Sequence, residues 1–183
     1  MNVAADPMSR ASIRKLTKKL RELAGCDKRE FFPIVRFIEW ILANPDNGID
    51  LEIVDPDEMQ DTYGTTNTGS NIMRIRSDVY DGAVKGDPRH RFTLCHEVGH
   101  YFLHQPDSVS FARGKIPRYR DPEWQANTFA AELMAPYDLV KNMSVDEIME
   151  KCGMSKQAAT IQFNEYHLSL IHISEPTRLG MIS

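Results

Sequence analysis

Apolar positions along the chain follow two spacings, one helical and one alternating, and the switches between them divide it into elements. Ile13, Leu16, Leu20 and Leu23 recur at helical spacing among basic residues, and Gly25 ends the run; this predicts an amphipathic helix with those four residues inward. Pro33 opens a second helix, with Ile34, Phe37, Ile38, Ile41 and Leu42 on its inner side and Asn44-Pro45 closing it. The spacing then changes to two. Ile49, Leu51 and Ile53 alternate with acids, and Ile72, Met73 and Ile75 form a second β-compatible run; Gly64 to Ser70 reads as the connector between them. A small sheet is expected, although its edge strand is not legible.

Two further helices open with the same device. Asp87-Pro88 precedes the apolar residues Phe92, Cys95, Val98 and Phe102, and Asp121-Pro122 opens a segment that closes at Pro136. Aspartate as cap followed by proline in the first turn is a strong helix start. Residues 105–121, rich in proline, serine, glycine and basic side chains, join the two as a loop or short strand over a cleft.

The first of these helices carries His96-Glu97-Val-Gly-His100. On a helix, residues four apart share a face, so the two imidazoles converge and Glu97 projects beside them. This H-E-x-x-H arrangement binds Zn²⁺ through two neutral imidazoles and uses the carboxylate for protons. A chain of this composition contains the bare pattern by chance in about one case in a hundred, so its helical context carries the argument. The bland alternative is a buried helix with two incidental histidines, but an unpartnered glutamate on so apolar a helix would be costly.

A catalytic zinc takes a third protein ligand and keeps a fourth position open. Glu123 is the expected ligand, with a first-turn acid favoured by the helix dipole as its bland reading. Asn127, one turn on, is placed to accept the free ring N–H of a ligating histidine. Glu132 lies nine residues from Glu123, on roughly the opposite face, and is the weaker candidate. His104 is one turn beyond His100, but its spacing from His96 carries it outside a single coordination shell; a hydrogen-bonding role is expected. His90 is expected on the surface, and Cys95 in the core.

Beyond Pro136, Ser144-Val-Asp-Glu147 is a capping box, Gly153 ends that helix, and Ser155 starts another bearing Ala158, Ala159, Ile161, Phe163 and Tyr166. Helix, glycine turn and helix resemble a helix-turn-helix. Either it reads DNA or it packs on the preceding core. A recognition helix presents Arg, Lys, Gln or Asn to base edges, and only Lys156, Gln157, Gln162 and Asn164 are available, which favours packing.

The chain has 183 residues and a net charge of −4, enough for one core and without the positive charge that attracts nucleic acid or an anionic membrane. No apolar run approaches a membrane span, and the start of the chain does not have the pattern of a signal peptide. Three cysteines, an odd set without paired spacing, suit a reducing cytoplasm.

His-Glu-x-x-His followed by Pro122-Glu-Trp-Gln-Ala-Asn127-x-Phe-Ala-Ala-Glu132-Leu-Met-x-Pro136 resembles the ImmA/IrrE family of zinc metallopeptidases, a gluzincin-like branch. Val79-Tyr-Asp-Gly-Ala, Gly86, Arg89 and Arg91-Phe-Thr resemble the same family, and the likeness spans roughly residues 30 to 166. It implies a mainly helical α+β, zincin-like core with a small sheet beside the H-E-x-x-H helix. It also implies His96, His100 and Glu123 as ligands of Zn²⁺, with Mn²⁺ as an alternative, and Glu97 as the catalytic carboxylate. In metallopeptidases of this plan an edge strand pairs with an extended substrate. Tyr101, Arg91 and His104 are the side chains considered for stabilising the oxyanion. The implied partner is a protein substrate, a helix-turn-helix repressor of phage, mobile-element or stress genes encoded nearby, with no membrane partner and no direct DNA binding. The rival is a non-proteolytic, antitoxin-like or transcription-associated binding protein whose metal is structural or vestigial.

Leu168-Ser-Leu-Ile-His172-Ile-Ser-Glu-Pro-Thr-Arg178 resembles the in-frame translation of a sequencing adapter. The expected division is therefore a metallopeptidase domain over 1–143, a helical appendage over 144–167 and a non-native tail over 168–183.

Overall fold

The computed structural model describes residues 2–43, 48–112 and 114–174. The Asn44-Pro45 stop and residues 175–183 of the tail lie outside the described residues. Strand β1 (Asn2–Ala5) leads into helix α1 (Arg10–Leu23), capped by Ser9, whose hydroxyl accepts the Ser12 N–H at 3.1 Å. Its buried face is Ile13, Thr17, Leu20 and Arg21, whereas Leu23 is 72% exposed. The inner face is turned toward Thr17 because the Arg21 guanidinium enters the interior, where it donates to the carbonyls of Leu133, Cys26 and Arg29. Helix α2 (Ile34–Phe37) then runs into a wider π-helical segment, Ile38–Leu42.

A three-stranded sheet follows, with β2 (Asp50–Val54), the short helix α3 (Pro56–Met59), β3 (Gly64–Asn67) and β4 (Ile72–Arg76). Its order is β2-β4-β3, with β2 parallel and β3 antiparallel to β4. The Gly64–Ser70 stretch is thus no mere connector. Asn67 Oδ1 accepts the N–H groups of Gly69 and Ser70, Asn71 takes a left-handed conformation (φ 55°), and this turn folds Thr65 and Thr66 back onto β4. Strand β3 is consequently an edge, lying against the H-E-x-x-H helix. In a separate two-stranded sheet β5 (Val109–Ala112), within the 105–121 connection, pairs antiparallel with β1.

Helix α4 (Ser77–Val84) precedes α5 (Pro88–Leu103) and α6 (Pro122–Met134). Both aspartate caps form: Asp87 accepts the N–H groups of Arg89 and His90, and Asp121 that of Glu123. Gly99 lets α5 and α6 close on each other, since a Cβ there would meet the Ala126 backbone at 3.2 Å. Helices α7 (Tyr137–Val140), α8 (Val145–Cys152) and α9 (Lys156–Ser174) follow, and the Ser144–Glu147 capping box is formed as its sequence specifies. The architecture is mainly helical α+β. Among the described residues, no helix is long and apolar enough to cross a membrane.

One hydrophobic cluster runs from Ile13 and Phe37 through Met73, Leu94 and Phe129 to Ile148, Cys152, Ala159 and Tyr166, so α8 and α9 share the core of the preceding elements. A buried acid ties α1, α6 and α9 together. Glu132 is fully buried, and its carboxylate accepts from Arg14 Nε at 3.0 Å, Arg10 Nη1 at 3.0 Å and the Tyr166 hydroxyl at 3.0 Å. Breaking such a network leaves desolvated partners behind, whereas an exposed pair contributes little. Glu132→Ala is therefore expected to destabilise the protein by about 3 kcal/mol in urea unfolding. Asp138→Ala, which breaks the exposed Lys18–Asp138 pair, should cost less than about 1 kcal/mol.

Candidate metal centre

Helix α5 presents His96 and His100 on one face, and the first turn of α6 presents Glu123 across from them. His96 Nε2 lies 3.4 Å from Glu123 Oε2, His100 Nε2 lies 3.4 Å from Glu123 Oε1, and the two Nε2 atoms are 2.9 Å apart. Donors each about 2.0–2.1 Å from a tetrahedral ion stand roughly 3.3 Å from one another, close to these separations. Among the described residues, this is the one cluster of His, Cys, Asp and Glu with the spacing to hold a metal ion.

The hydrogen bonds around the cluster fix which ring nitrogens carry protons. Gln125 donates its amide N–H groups to the carbonyls of Asp6 and Tyr119, both at 2.8 Å, so its Oε1 faces His104. His104 Nε2 must then donate to that oxygen (3.0 Å), which leaves His104 Nδ1 bare to accept from His100 Nδ1–H at 2.9 Å. His100 Nε2 is thereby bare as well. On the other ring, His96 Nδ1–H donates to Asn127 Oδ1 at 3.1 Å, so His96 Nε2 is bare too. Two imidazole lone pairs and a carboxylate point at one another with no proton between them, an arrangement that a cation satisfies and that nothing else among the described residues does.

Burial keeps all three imidazoles neutral. Desolvation, with His96 and His104 adding repulsion, pushes His100 down to about 3, and burial also lowers His96 and His104. Neutral imidazole is the form that ligates metal.

Glu97, next to His96 on α5, reaches Thr66 of β3. It is 6% exposed, and Thr66 Oγ1 donates to its Oε2 at 2.8 Å. Burial raises its carboxyl to about 7, against the pull of the Thr66 hydroxyl. Gly64 is fitted to this side chain, because a Cβ there would stand 2.8 Å from Glu97 Cγ. His96 and Glu97 open onto a cleft of about 400 Å³ bounded by Asp61–Gly64, while His100 and Glu123 open onto another of about 740 Å³ beneath Val3, Val109 and Ile116.

The structure brings His96, His100, Glu123, Asn127 and His104 together in one connected group and sets Glu97 beside it. His104 approaches no bare donor of the cluster and instead orients His100. Arg91 is excluded from the cleft: it is buried, donating to the carbonyls of Phe32, Cys152 and Gly153, so it has no reach to a substrate oxygen. Tyr101 borders neither cleft, leaning on Phe102. His90 is not a free surface residue but packs half-buried over Gly82. Cys95 faces the core, where burial pushes its thiol up to about 12. Gln125, Thr66 and Gly64 had no assigned role from sequence. Paired threonines between glycines are the one local hint of β3; for Gln125 no such signal exists.

The sequence model of the Peptidase M78 family, described as the IrrE N-terminal-like domain, matches residues 58–164. The match covers more than half of the chain, and the protein belongs to this metallopeptidase-like family. It begins further along the chain than the resemblance near residue 30 and ends close to where that resemblance ends. No curated protein matches the chain.

Glu123→Ala and His100→Ala are each expected to abolish stoichiometric metal binding, measured by elemental analysis after gel filtration. Gln125→Leu leaves the three ligands in place but removes the anchor of the His104–His100 chain, together with its bonds to the Asp6 and Tyr119 carbonyls, and should weaken metal affinity by about 10–100-fold in a chelator competition.

Proposed function

We propose that the protein is a zinc-dependent endopeptidase in which His96, His100 and Glu123 hold the ion and Glu97 moves the protons. The observation that carries this reading is the convergence of three bare donors with a buried carboxylate, near-neutral in pKa, one residue away. Zinc supplies Lewis-acid polarisation of a scissile carbonyl and a more acidic water, with manganese as the alternative ion. Glu97, buried and held by Thr66, takes the proton from the attacking water and returns it to the leaving amine. Asn127 and His104 fix the ligand tautomers. Strand β3 ends the sheet and its first residue, Gly64, lines the cleft, which supports its free edge as the place for an extended substrate to pair.

The proposed substrate is a helix-turn-helix repressor of phage, mobile-element or stress genes, cut at a specific site in the cytoplasm; the ImmA/IrrE likeness supports that class of partner. The clustering of α8 and α9 into the core supports a packed appendage rather than a DNA reader.

Glu97→Gln should retain stoichiometric zinc yet lower hydrolysis of unfolded casein, or of the neighbouring repressor, by about 10²–10⁴-fold. Gly64→Ala should also retain zinc and, by displacing Glu97, lower kcat by about 10²-fold. Zinc-loaded wild-type protein that hydrolyses neither substrate would contradict the proposal.

A further inference from the structure

Beside the metal centre, and not on it, lies another concavity. It has a volume of about 440 Å³, with α5 and α6 on one side and α9 on the other. Phe92, Thr93 and Asn127 line both this cavity and the cleft containing His96 and Glu97, so the two are continuous. Its walls combine apolar surface with positive charge. Trp124, Ala131, Ala158 and Ile161 supply apolar area, and Ile161 remains 53% exposed.

The cationic side chains are unequally matched. Arg10 is neutralised by the buried Glu132. Arg118, 68% exposed, reaches Glu165 only at 3.5 Å and lies 5.3 Å from the centre of the Trp124 ring. Arg89 makes no ion pair among the described residues. The lining thus holds Arg89 and Arg118 with one carboxylate, Glu165, which Arg10 also approaches at 3.6 Å, while Asp87, outside the lining, acts electrostatically on Arg89. The chain as a whole carries −4, so this excess of positive charge is local. The Trp124 indole N–H is buried without a hydrogen-bond partner among the described residues.

Neither holding the metal nor orienting Glu97 requires any of these groups. We propose that the cavity is a specificity pocket for the protein substrate, taking a large apolar side chain with an acidic residue next to it. The apolar group rests on Trp124 and Ile161 while the carboxylate pairs with Arg89 and Arg118, whose planar donors suit bidentate recognition. The volume is in the range that accommodates such a group. Helix α9 then acts as one wall of the substrate site. This inference rests on the peptidase reading and deepens it, through a pocket that joins the cleft past Asn127.

The two tryptophans are Trp40 and Trp124, so zinc-loaded full chain carrying W40F and E97Q reports on the pocket through Trp124 fluorescence without turnover. The probes are three blocked nonapeptides, identical except for a central Phe-Glu-Glu, Phe-Gln-Gln or Ala-Glu-Glu. The Phe-Glu-Glu peptide is expected to bind about tenfold tighter than either of the others. Its advantage over Phe-Gln-Gln should shrink with salt and vanish when R89Q and R118Q are added. Equal affinities, a preference that survives R89Q and R118Q, or no binding of any probe overturns the pocket. Casein hydrolysis by the wild-type protein reads the peptidase reading separately. Hydrolysis without discrimination defeats the pocket alone, and discrimination without hydrolysis defeats the peptidase alone.

Discussion

Three lone pairs meeting at one point, two from α5 and one from α6, are the constraint on which the site depends. Bare nitrogens 2.9 Å apart repel unless a positive charge lies between them. The protein fixes that arrangement from a distance. Gln125 is held by the carbonyls of Asp6 and Tyr119, it fixes His104, and His104 fixes His100. The end of the β1 segment therefore sets the protonation of a ring on α5. Gly99, by letting the two helices touch, brings the remaining donor within reach.

The acids of α6 show how environment assigns roles. Glu132 is wholly buried and saturated by two arginines and a tyrosine, so its charge serves cohesion. Glu123, half a helical turn away in projection and 67% exposed at its side chain, faces two bare imidazole nitrogens. Buried arginines act in the first of these ways. Arg21 and Arg91 spend their donors on backbone carbonyls at chain reversals, which satisfies groups that the elements cannot pair themselves.

Much of this was legible in the chain because its signals are local. The Asp-Pro caps, the four-residue histidine spacing and the nine-residue separation of Glu123 from Glu132 follow from helix geometry alone, and so does the placing of Asn127 one turn from Glu123; that its partner is His96 follows from the packing of α5 on α6. What was not legible depends on distant contacts. Strand β3 carries little apolar pattern, since it is an edge whose stability comes from pairing with β4 and packing on α5. Arg91 looked available because its partners, the carbonyls at Phe32 and Cys152, come from remote segments. Leu23 shows the same limit: the spacing is right for a helix, but the face that turns inward was chosen by Arg21. Gln125 has a role only through three partners, Asp6, His104 and Tyr119, that lie far apart in sequence and meet only in the fold.

The central claim is that these three side chains form one metal-binding site. X-ray absorption of the zinc-reconstituted protein tests it most directly, because imidazole, carboxylate and thiolate ligands give distinct signatures. The account predicts a shell of nitrogen and oxygen at about 2.0–2.1 Å with the multiple scattering of two imidazoles, and no sulfur. A sulfur shell near about 2.3 Å, or a shell without histidine scattering, would contradict it.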